Sequence, residues 1–162
     1  MRDTITAFAD TDKDASQDPG EPRGAATKAW TLPVTTPLCE IRITNGGWIV
    51  TASGDRASFG GNPRANASGQ TSGQEEYQDH GPVQPLNVHS INVLAIVCEG
   101  TMQASIFGQA TINGSGSFYY RIRVWDLAEP GIGHDRYWML LQTGYNSGEQ
   151  VLRGGNVQIR RQ

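Results

Sequence analysis

Three side chains between Tyr77 and Cys98 are of types that could do acid–base or metal chemistry. Asp79 stands next to His80, and His89 follows nine positions later, ahead of an apolar run that ends in a cysteine. A zinc ion needs three or four ligands at about 2.0–2.3 Å, so the two histidines could form part of such a site if a third ligand joined them. Candidates for that third ligand lie in the stretch DLAEPGIGHD and are Asp126, Glu129, His134 and Asp135.

The same residues also have a structural interpretation, which the sequence favours. Asp79 would cap a turn, and His89 would donate to a carbonyl or a carboxylate at the end of a strand. Nothing in the spacing forces the histidines to meet, and the chain has no G-x-S-x-G, H-E-x-x-H, P-loop or G-x-G-x-x-G motif. We therefore expect no catalytic residue, and a transition-metal site at His80 and His89 is kept only as an alternative.

An acidic segment near the N-terminus is a second candidate site. Its carboxylates follow the spacing D-x-D-x-D-x-x-x-D and belong to Asp10, Asp12, Asp14 and Asp18. Alternating carboxylates in a tight loop can converge on a hard cation such as Ca²⁺, and their mutual repulsion needs compensation. The glycine and the final glutamate of an EF-hand loop are missing, so a solvated turn is the alternative. Calcium is the only cofactor that the sequence suggests, and it would stiffen a domain junction.

Aromatic and arginine side chains alternate along the predicted strand SFYYRIRVWD. One face of this strand is apolar and is expected to point to the core. The other face carries the candidate ligand-binding residues Tyr119, Arg121, Arg123 and Trp125. Exposed aromatics interleaved with arginine suit a surface that binds a glycan or another protein. Alternatively, this face packs on a second sheet or on the N-terminal segment, with the arginine stems covering the rings.

Turn-forming residues divide the chain into short segments of strand character. Gly, Asn, Ser and Pro recur about every 8–12 residues, which is typical of an all-β domain. The alternating segments predict about nine or ten strands, joined by short turns and therefore mostly antiparallel. Such a chain folds as an antiparallel β-sandwich or closes as a flattened β-barrel.

For two of these segments the sequence also predicts a position in the sheet. QEEYQDH is interpreted as a polar strand, at an edge or facing solvent on one side. Asn87–Cys98 is apolar on both faces at its C-terminal end and is expected to be central. Strict alternation along it places Leu94 on the same face as Val88, and Val93 on the same face as His89.

Charge and hydropathy limit the classes of partner. The chain has 13 basic and 16 acidic side chains, a net charge of −3, which argues against a nucleic-acid binder. The longest apolar run, Val93–Cys98, is too short to span a bilayer, and no signal peptide opens the sequence. The partners that remain are neighbouring domains, identical chains and a glycan.

The two cysteines, Cys39 and Cys98, are interpreted as a disulfide, because both lie at the edge of apolar strands. Two buried free thiols are the alternative, since a pair of cysteines is compatible with either redox compartment.

Several motifs occur in an order that resembles a bacterial extracellular module, the post-COAP-1 domain. They are ITNGGWIVTASGDRASFGGN, YQDHGP, NVHS, IFGQATINGSGS, VWDLAEPG and LRGGNVQI, and the resemblance covers about residues 38–162. It implies a secreted or cell-surface location, an accessory role in a larger protein, and no known catalytic activity. The family usually ends in histidine after GGNVQI, where this chain has Arg160.

Residues 1–37 are interpreted as a β-hairpin and a linker. The stretch DTITAFADTDKDASQDPGEP, followed by ATKAW, is similar to the closing hairpin of a bacterial immunoglobulin-like repeat. A single hairpin is marginal in water, so its apolar side chains should be covered either by the same chain or by a neighbouring one.

Together these observations predict a non-catalytic extracellular β-module that acts as a spacer, adhesion or assembly unit. A carbohydrate-binding module with an aromatic strip, in which Trp138 would join Tyr119 or Trp125, is the first alternative. A small β-barrel enzyme with a histidine–acid site is the second.

Overall fold

A computed structural model describes residues 39–82 and 85–161, together with the backbone of residues 2–8 and 23–29. The chain divides into two compact units, Met1–Pro37 and Leu38–Gln162. In the first unit, strands β1 (Arg2–Phe8) and β2 (Arg23–Ala29) pair antiparallel along their whole length. Two paired strands thus lie on either side of the acidic segment.

The second unit is an eleven-stranded antiparallel sheet. Its strands are β3 (Ile41–Val50), β4 (Arg56–Gly61), β5 (Arg64–Ala65), β6 (Thr71–Ser72), β7 (Glu75–Asp79), β8 (Leu86–Cys98), β9 (Gln103–Ile112), β10 (Ser115–Trp125), β11 (Arg136–Leu141), β12 (Gln150–Val151) and β13 (Gly154–Arg161). Three of them, β5, β6 and β12, are only two residues long. The prediction of an all-β, antiparallel fold is confirmed.

Neighbouring strands follow the order β12, β11, β10, β9, β8, β7, β4, β3. Strand β13 pairs with one edge of β3, while β4 and the short β5 share the other edge. The sheet is not closed into a barrel. Within the described part of the chain, no helix has the length and hydropathy needed to cross a membrane.

Distant strands of this sheet share one hydrophobic core. Phe59 on β4 stacks on Tyr137 on β11 with ring centroids 3.9 Å apart, although four strands separate β4 from β11 in the sheet. The sheet therefore curves over itself, and its inner surface supplies a single cluster of buried apolar side chains. Ile41, Ile106 and Ile122, from three different strands, are fully buried in that cluster.

Strand β8 is central, as predicted, but its side chains do not alternate strictly. The pairing of β8 with β9 shifts register between Ser90 and Asn92 and again between Val93 and Ala95, so Ile91 and Leu94 are extra residues of two β-bulges. Val93 is consequently buried, whereas Leu94 is 50% exposed. The prediction that Leu94 shares a face with Val88 is wrong for this reason.

Candidate functional site

The outward surface of four adjacent strands, called here the β8–β11 face, collects the predicted aromatic and arginine residues. The strand register sets their positions. One cross-strand row contains Ala95, Phe107, Arg121 and Leu140, and the next contains Val97, Ser105, Arg123 and Trp138. Side chains two residues apart on a strand share a face. Tyr119 therefore lies on this side of β10 in the row before Arg121, and Trp125 lies on it in the row after Arg123.

A carboxylate at the centre of this face holds the two arginines. Glu99 follows β8, and its Oε1 lies 3.5 Å from Nη2 of Arg121, while its Oε2 lies 3.2 Å from Nη2 of Arg123. Ser105 donates a hydrogen bond to Glu99 and receives one from Arg121 at 3.3 Å. Glu99 was missed in the sequence, because only the register brings a turn residue after β8 beside arginines on β10.

The same arginines cover aromatic rings. The guanidinium carbon of Arg121 lies 5.2 Å from the ring centroid of Phe107 and 5.6 Å from that of Trp138. That of Arg123 lies 5.8 Å from the centroid of Trp138. These distances are within the range of cation–π attraction. The guanidinium groups of both arginines thus lie near the ring of Trp138, while Tyr119 is 56% exposed.

Exposed apolar side chains lie along β8 beside this cluster. Ile91 is 51% exposed, Leu94 is 50% exposed and Val97 is 43% exposed. Two of the three are the bulge residues, whose backbone irregularity turns them away from the core. Large apolar groups close together on a surface are typical of a site that contacts another molecule.

The two candidate histidines have different partners, and only His89 lies on a strand of this face. Nε2 of His80 lies 2.9 Å from Oγ of Ser58. His89 contacts Glu76, which stands directly opposite it on β7. The His89 side chain is 62% exposed. Within the described residues, no group of three or more His, Cys, Asp or Glu side chains is placed to hold a metal ion.

Of the four candidates for a third ligand, Asp135 binds backbone instead. It is fully buried, and its Oδ1 accepts the N–H groups of Leu127 at 2.8 Å and Ala128 at 3.2 Å. Its Oδ2 accepts the N–H of Val157 on β13 at 2.8 Å. One carboxylate thus ties the loop between β10 and β11 to the outer edge of β13.

Asp126 and Glu129 also connect the loop between β10 and β11 to strand β13. Oδ2 of Asp126 accepts the N–H of Ile159 at 2.7 Å, and burial raises the pKa of Asp126 although that hydrogen bond opposes the shift. Glu129 accepts hydrogen bonds from the side chains of Asn156 and Gln158, also on β13. The fourth candidate, His134, is exposed.

A second unexpected carboxylate lies inside the core, on β7. Glu75 is only 2% exposed, and Nδ2 of Asn45 donates to its Oε1 at 2.9 Å. Gly61 stands opposite Glu75 on β4, where a Cβ would clash with the carboxylate. Burial raises the pKa of Glu75 from 4.5 to about 8, and the negative charge of Glu76 adds to the rise while the Asn45 hydrogen bond opposes it. No substrate can reach a carboxyl group buried to this degree.

The inward face of β7 continues this polar network. Tyr77 hydrogen-bonds through its hydroxyl to the hydroxyl of Tyr145, which donates to Oδ2 of Asp79 at 2.7 Å. Oδ1 of Asp79 accepts the N–H of Gly81 at 2.9 Å, which is the turn cap expected of Asp79. β7 lies between β4 and β8, so the prediction of an edge strand is wrong, while solvent on one side is confirmed by exposed Gln78.

Of the two remaining predicted sites, the structure describes the disulfide but not the calcium ligands. Cys39 and Cys98 form a disulfide with their Cα atoms 6.3 Å apart, as predicted, and both pack against the hydrophobic core. The proposed calcium ligands Asp10, Asp12, Asp14 and Asp18 lie outside the described residues. Calcium binding there stays a prediction.

The chain matches no protein-family model, and comparison with curated proteins and with solved structures gave no match.

Proposed function

We propose that the unit Leu38–Gln162 is a non-catalytic extracellular β-module that serves as an assembly unit of a bacterial surface or secreted protein. The Cys39–Cys98 disulfide supports this location, because disulfides persist in oxidising compartments. The resemblance to the post-COAP-1 domain implies the same location and an accessory role.

The observation that carries the proposal is the exposed apolar row on β8. Ile91, Leu94 and Val97 are each 43–51% exposed, and only β9 separates their strand from the arginines of β10 that pair with Glu99. Burying one such side chain in an interface contributes roughly 1.5–3 kcal/mol. Arginines that are already ordered lose little additional side-chain entropy on binding.

The partner that we assign to this face is a second copy of the chain. Each of its arginines has a carboxylate partner, since Arg121 and Arg123 share Glu99 and Arg136 pairs with Glu149. These three arginines and two glutamates leave an excess of one positive charge, so two copies can meet without a strong repulsion between like charges, which would cost several kcal/mol.

The rival functions have less support from this geometry. A sugar-stacking strip needs several open ring faces. The ring of Trp138 is covered by two arginines and Trp125 is partly buried, which leaves Tyr119 as the exposed ring of the three candidates. Glu75, a carboxyl group whose pKa burial raises to about 8, is inaccessible at 2% exposure, whereas an enzyme places such a group in a cleft.

Sedimentation velocity over a range of concentrations tests the proposal. We expect the wild-type chain to self-associate, and Leu94→Asp to weaken association by about tenfold or more, because it loses apolar burial and introduces a charge. The matched control is Ile132→Asp, since Ile132 is also 50% exposed but lies in the loop between β10 and β11. A wild-type chain that stays monomeric, or equal association of the wild-type and Leu94→Asp chains, would contradict the proposal.

A further inference from the structure

Three arginines stand side by side on a different part of the sheet, at the N-terminal end of β3. Arg64 on β5 lies opposite Arg42 on β3, and Arg42 lies opposite Arg160 on β13. Directly opposed residues of antiparallel strands point to the same face, and all three side chains are exposed. We call this set the arginine row.

Among the described residues, no carboxylate forms an ion pair with the arginine row. Nε of Arg64 donates to Oγ of Ser72 at 2.7 Å, and Nη2 of Arg160 donates to Oε1 of Gln158 at 3.3 Å. The four ion pairs found among the described residues involve His89, Arg121, Arg123 and Arg136. Like charges in directly opposed positions destabilise a sheet, so the row lowers stability unless an anion occupies it.

Two surface depressions adjoin the row. One of about 690 Å³ is bordered by Arg42 and Arg64 together with Asn66, Gln70 and Ser72. Another of about 270 Å³ is bordered by the same two arginines with Thr44 and Asn62. Most residues that border the two depressions are Arg, Asn, Gln, Ser or Thr, and none is aromatic. Glu40 also borders the larger depression, where its carboxylate can accept hydrogen bonds from hydroxyl groups.

We propose that the arginine row and the two depressions bind an acidic polysaccharide, a polymer that carries carboxylate or sulfate groups among its hydroxyls. The planar guanidinium fork binds such anions through paired hydrogen bonds. Adjacent strands lie about 4.8 Å apart, so the row extends along the sheet for about twice that distance and meets several successive groups of an extended polymer. The amide and hydroxyl groups of the depressions can form hydrogen bonds with the hydroxyl groups of the sugars.

The lining favours this polymer over other polyanions. A single-stranded nucleic acid would use aromatic rings on which its bases stack, and neither depression contains one. An acidic peptide can also be bound by an arginine cluster, but it carries few hydroxyl groups to pair with the amides and hydroxyls of the depressions, and poly-L-glutamate tests this alternative. Since the whole chain has a net charge of −3, binding depends on the local row and not on the overall field.

Calorimetric titration of the full chain with defined polymers tests this site. Polygalacturonate supplies carboxylates and dextran sulfate supplies sulfates, with neutral dextran as the uncharged comparison. A chelator is present throughout, so that calcium cannot bridge the polymer to acidic residues. We expect binding of polygalacturonate or dextran sulfate and none of dextran, and the preferred polymer identifies the anionic group.

Substitution of the row supplies the decisive comparison. Arg42→Gln with Arg64→Gln should weaken binding by about tenfold or more, because two charge-assisted contacts are lost. The matched control is Arg56→Gln with Arg153→Gln, which removes the same charge from exposed arginines near the opposite end of β3. We expect the control to bind within about twofold of the wild-type chain.

Several results would overturn the proposal. They are an absence of binding to both acidic polymers, equal weakening by the row and control variants, and binding of poly-L-glutamate as tight as that of the polysaccharides. The last result would instead identify an acidic peptide as the ligand of the arginine row. The single variant Arg160→Gln provides an independent check if the double variant does not fold, and it should also weaken binding, whereas unchanged binding by Arg160→Gln would count against the row.

Discussion

Glu75 shows how a single residue can depart from what its type predicts. In the sequence EEYQD, the only apolar side chain is Tyr77, and the strand therefore reads as polar and solvent-exposed. Strict alternation around Tyr77 nevertheless places Glu75 and Asp79 on the inward side with it, and the structure confirms that pattern. The spacing alone thus predicts inward positions for Glu75 and Asp79, but their charge indicates solvent-exposed positions. What spacing could not show is Gly61, whose missing side chain leaves room for the carboxylate.

Because its pKa is raised to about 8, Glu75 makes stability depend on pH. Between its ordinary value of 4.5 and about 8, the folded protein keeps a proton that the unfolded chain has released. The contribution of Glu75 is therefore fully present below about pH 4.5 and is lost as the pH rises towards 8. Glu75→Gln removes this titration, so we expect the variant to be more stable than the wild type at pH 8 by on the order of 3 kcal/mol.

Chemical denaturation at pH 5 and at pH 8 measures this effect. The difference in unfolding free energy between the variant and the wild type should grow with pH. Glu149→Gln is the control, since Glu149 is an exposed carboxylate that pairs with Arg136 and not with Glu75. The same pH dependence in wild-type and Glu75→Gln chains would show that Glu75 does not titrate in this range.

At the scale of elements, the sequence predicts single strands better than their irregularities. The alternation of β10 is confirmed, with Tyr120, Ile122 and Val124 buried and the arginines between them outward. The same reasoning fails for β8, because a bulge adds a residue without leaving a signal in hydropathy. This failure matters for the candidate site, since the bulges place Ile91 and Leu94 on the surface.

The outer edge of β13 is satisfied by acidic side chains of a loop. An unpaired strand edge is a template for association with other chains, and Asp135 and Asp126 accept the N–H groups of Val157 and Ile159 there. The sequence suggested metal binding for these acids, because it could not show that a loop of DLAEPGIGHD lies along a strand some thirty residues later.

Asp135→Asn tests this anchoring. The amide can replace only one acceptor oxygen, so at least one buried backbone N–H loses its partner, at a cost of about 1–3 kcal/mol. We expect a lower melting temperature and faster amide hydrogen exchange at Leu127, Ala128 and Val157. Glu129→Gln, which changes an exposed carboxylate of the same loop, should have a much smaller effect. Unchanged exchange at all three amides would contradict the role assigned to Asp135.

At the scale of the whole molecule, the fold class follows from local pattern, but the strand order does not. Turn spacing and alternation are local properties, and they suffice to predict an antiparallel all-β fold. The pairing of β3 with β13 joins residues near the two ends of the unit, and the stack of Phe59 on Tyr137 joins strands far apart in the sheet. Such contacts depend on the curvature of the whole sheet, which no short segment encodes.

The assembly proposal makes a prediction about the two units of the chain. All residues of the β8–β11 face belong to the unit Leu38–Gln162. The sequence offers another route, in which the strands of residues 1–34 pair with a neighbouring chain through their edges. We expect a chain that lacks residues 1–34 to keep its disulfide and to self-associate as the full chain does. Leu94→Asp should weaken association equally in the long and short chains, because the two changes act at independent sites.

Sedimentation velocity of the four proteins, with and without residues 1–34 and with Leu or Asp at position 94, measures this expectation. Near-ultraviolet circular dichroism reports whether the core of the short chain stays packed. If the short chain is folded but monomeric while the full chain associates, then assembly depends on the N-terminal strands, and the role of the β8–β11 face is refuted. If only Leu94→Asp abolishes association, the contact between copies belongs to the bulged strand β8, whose irregular register exposes the apolar side chains that the contact buries.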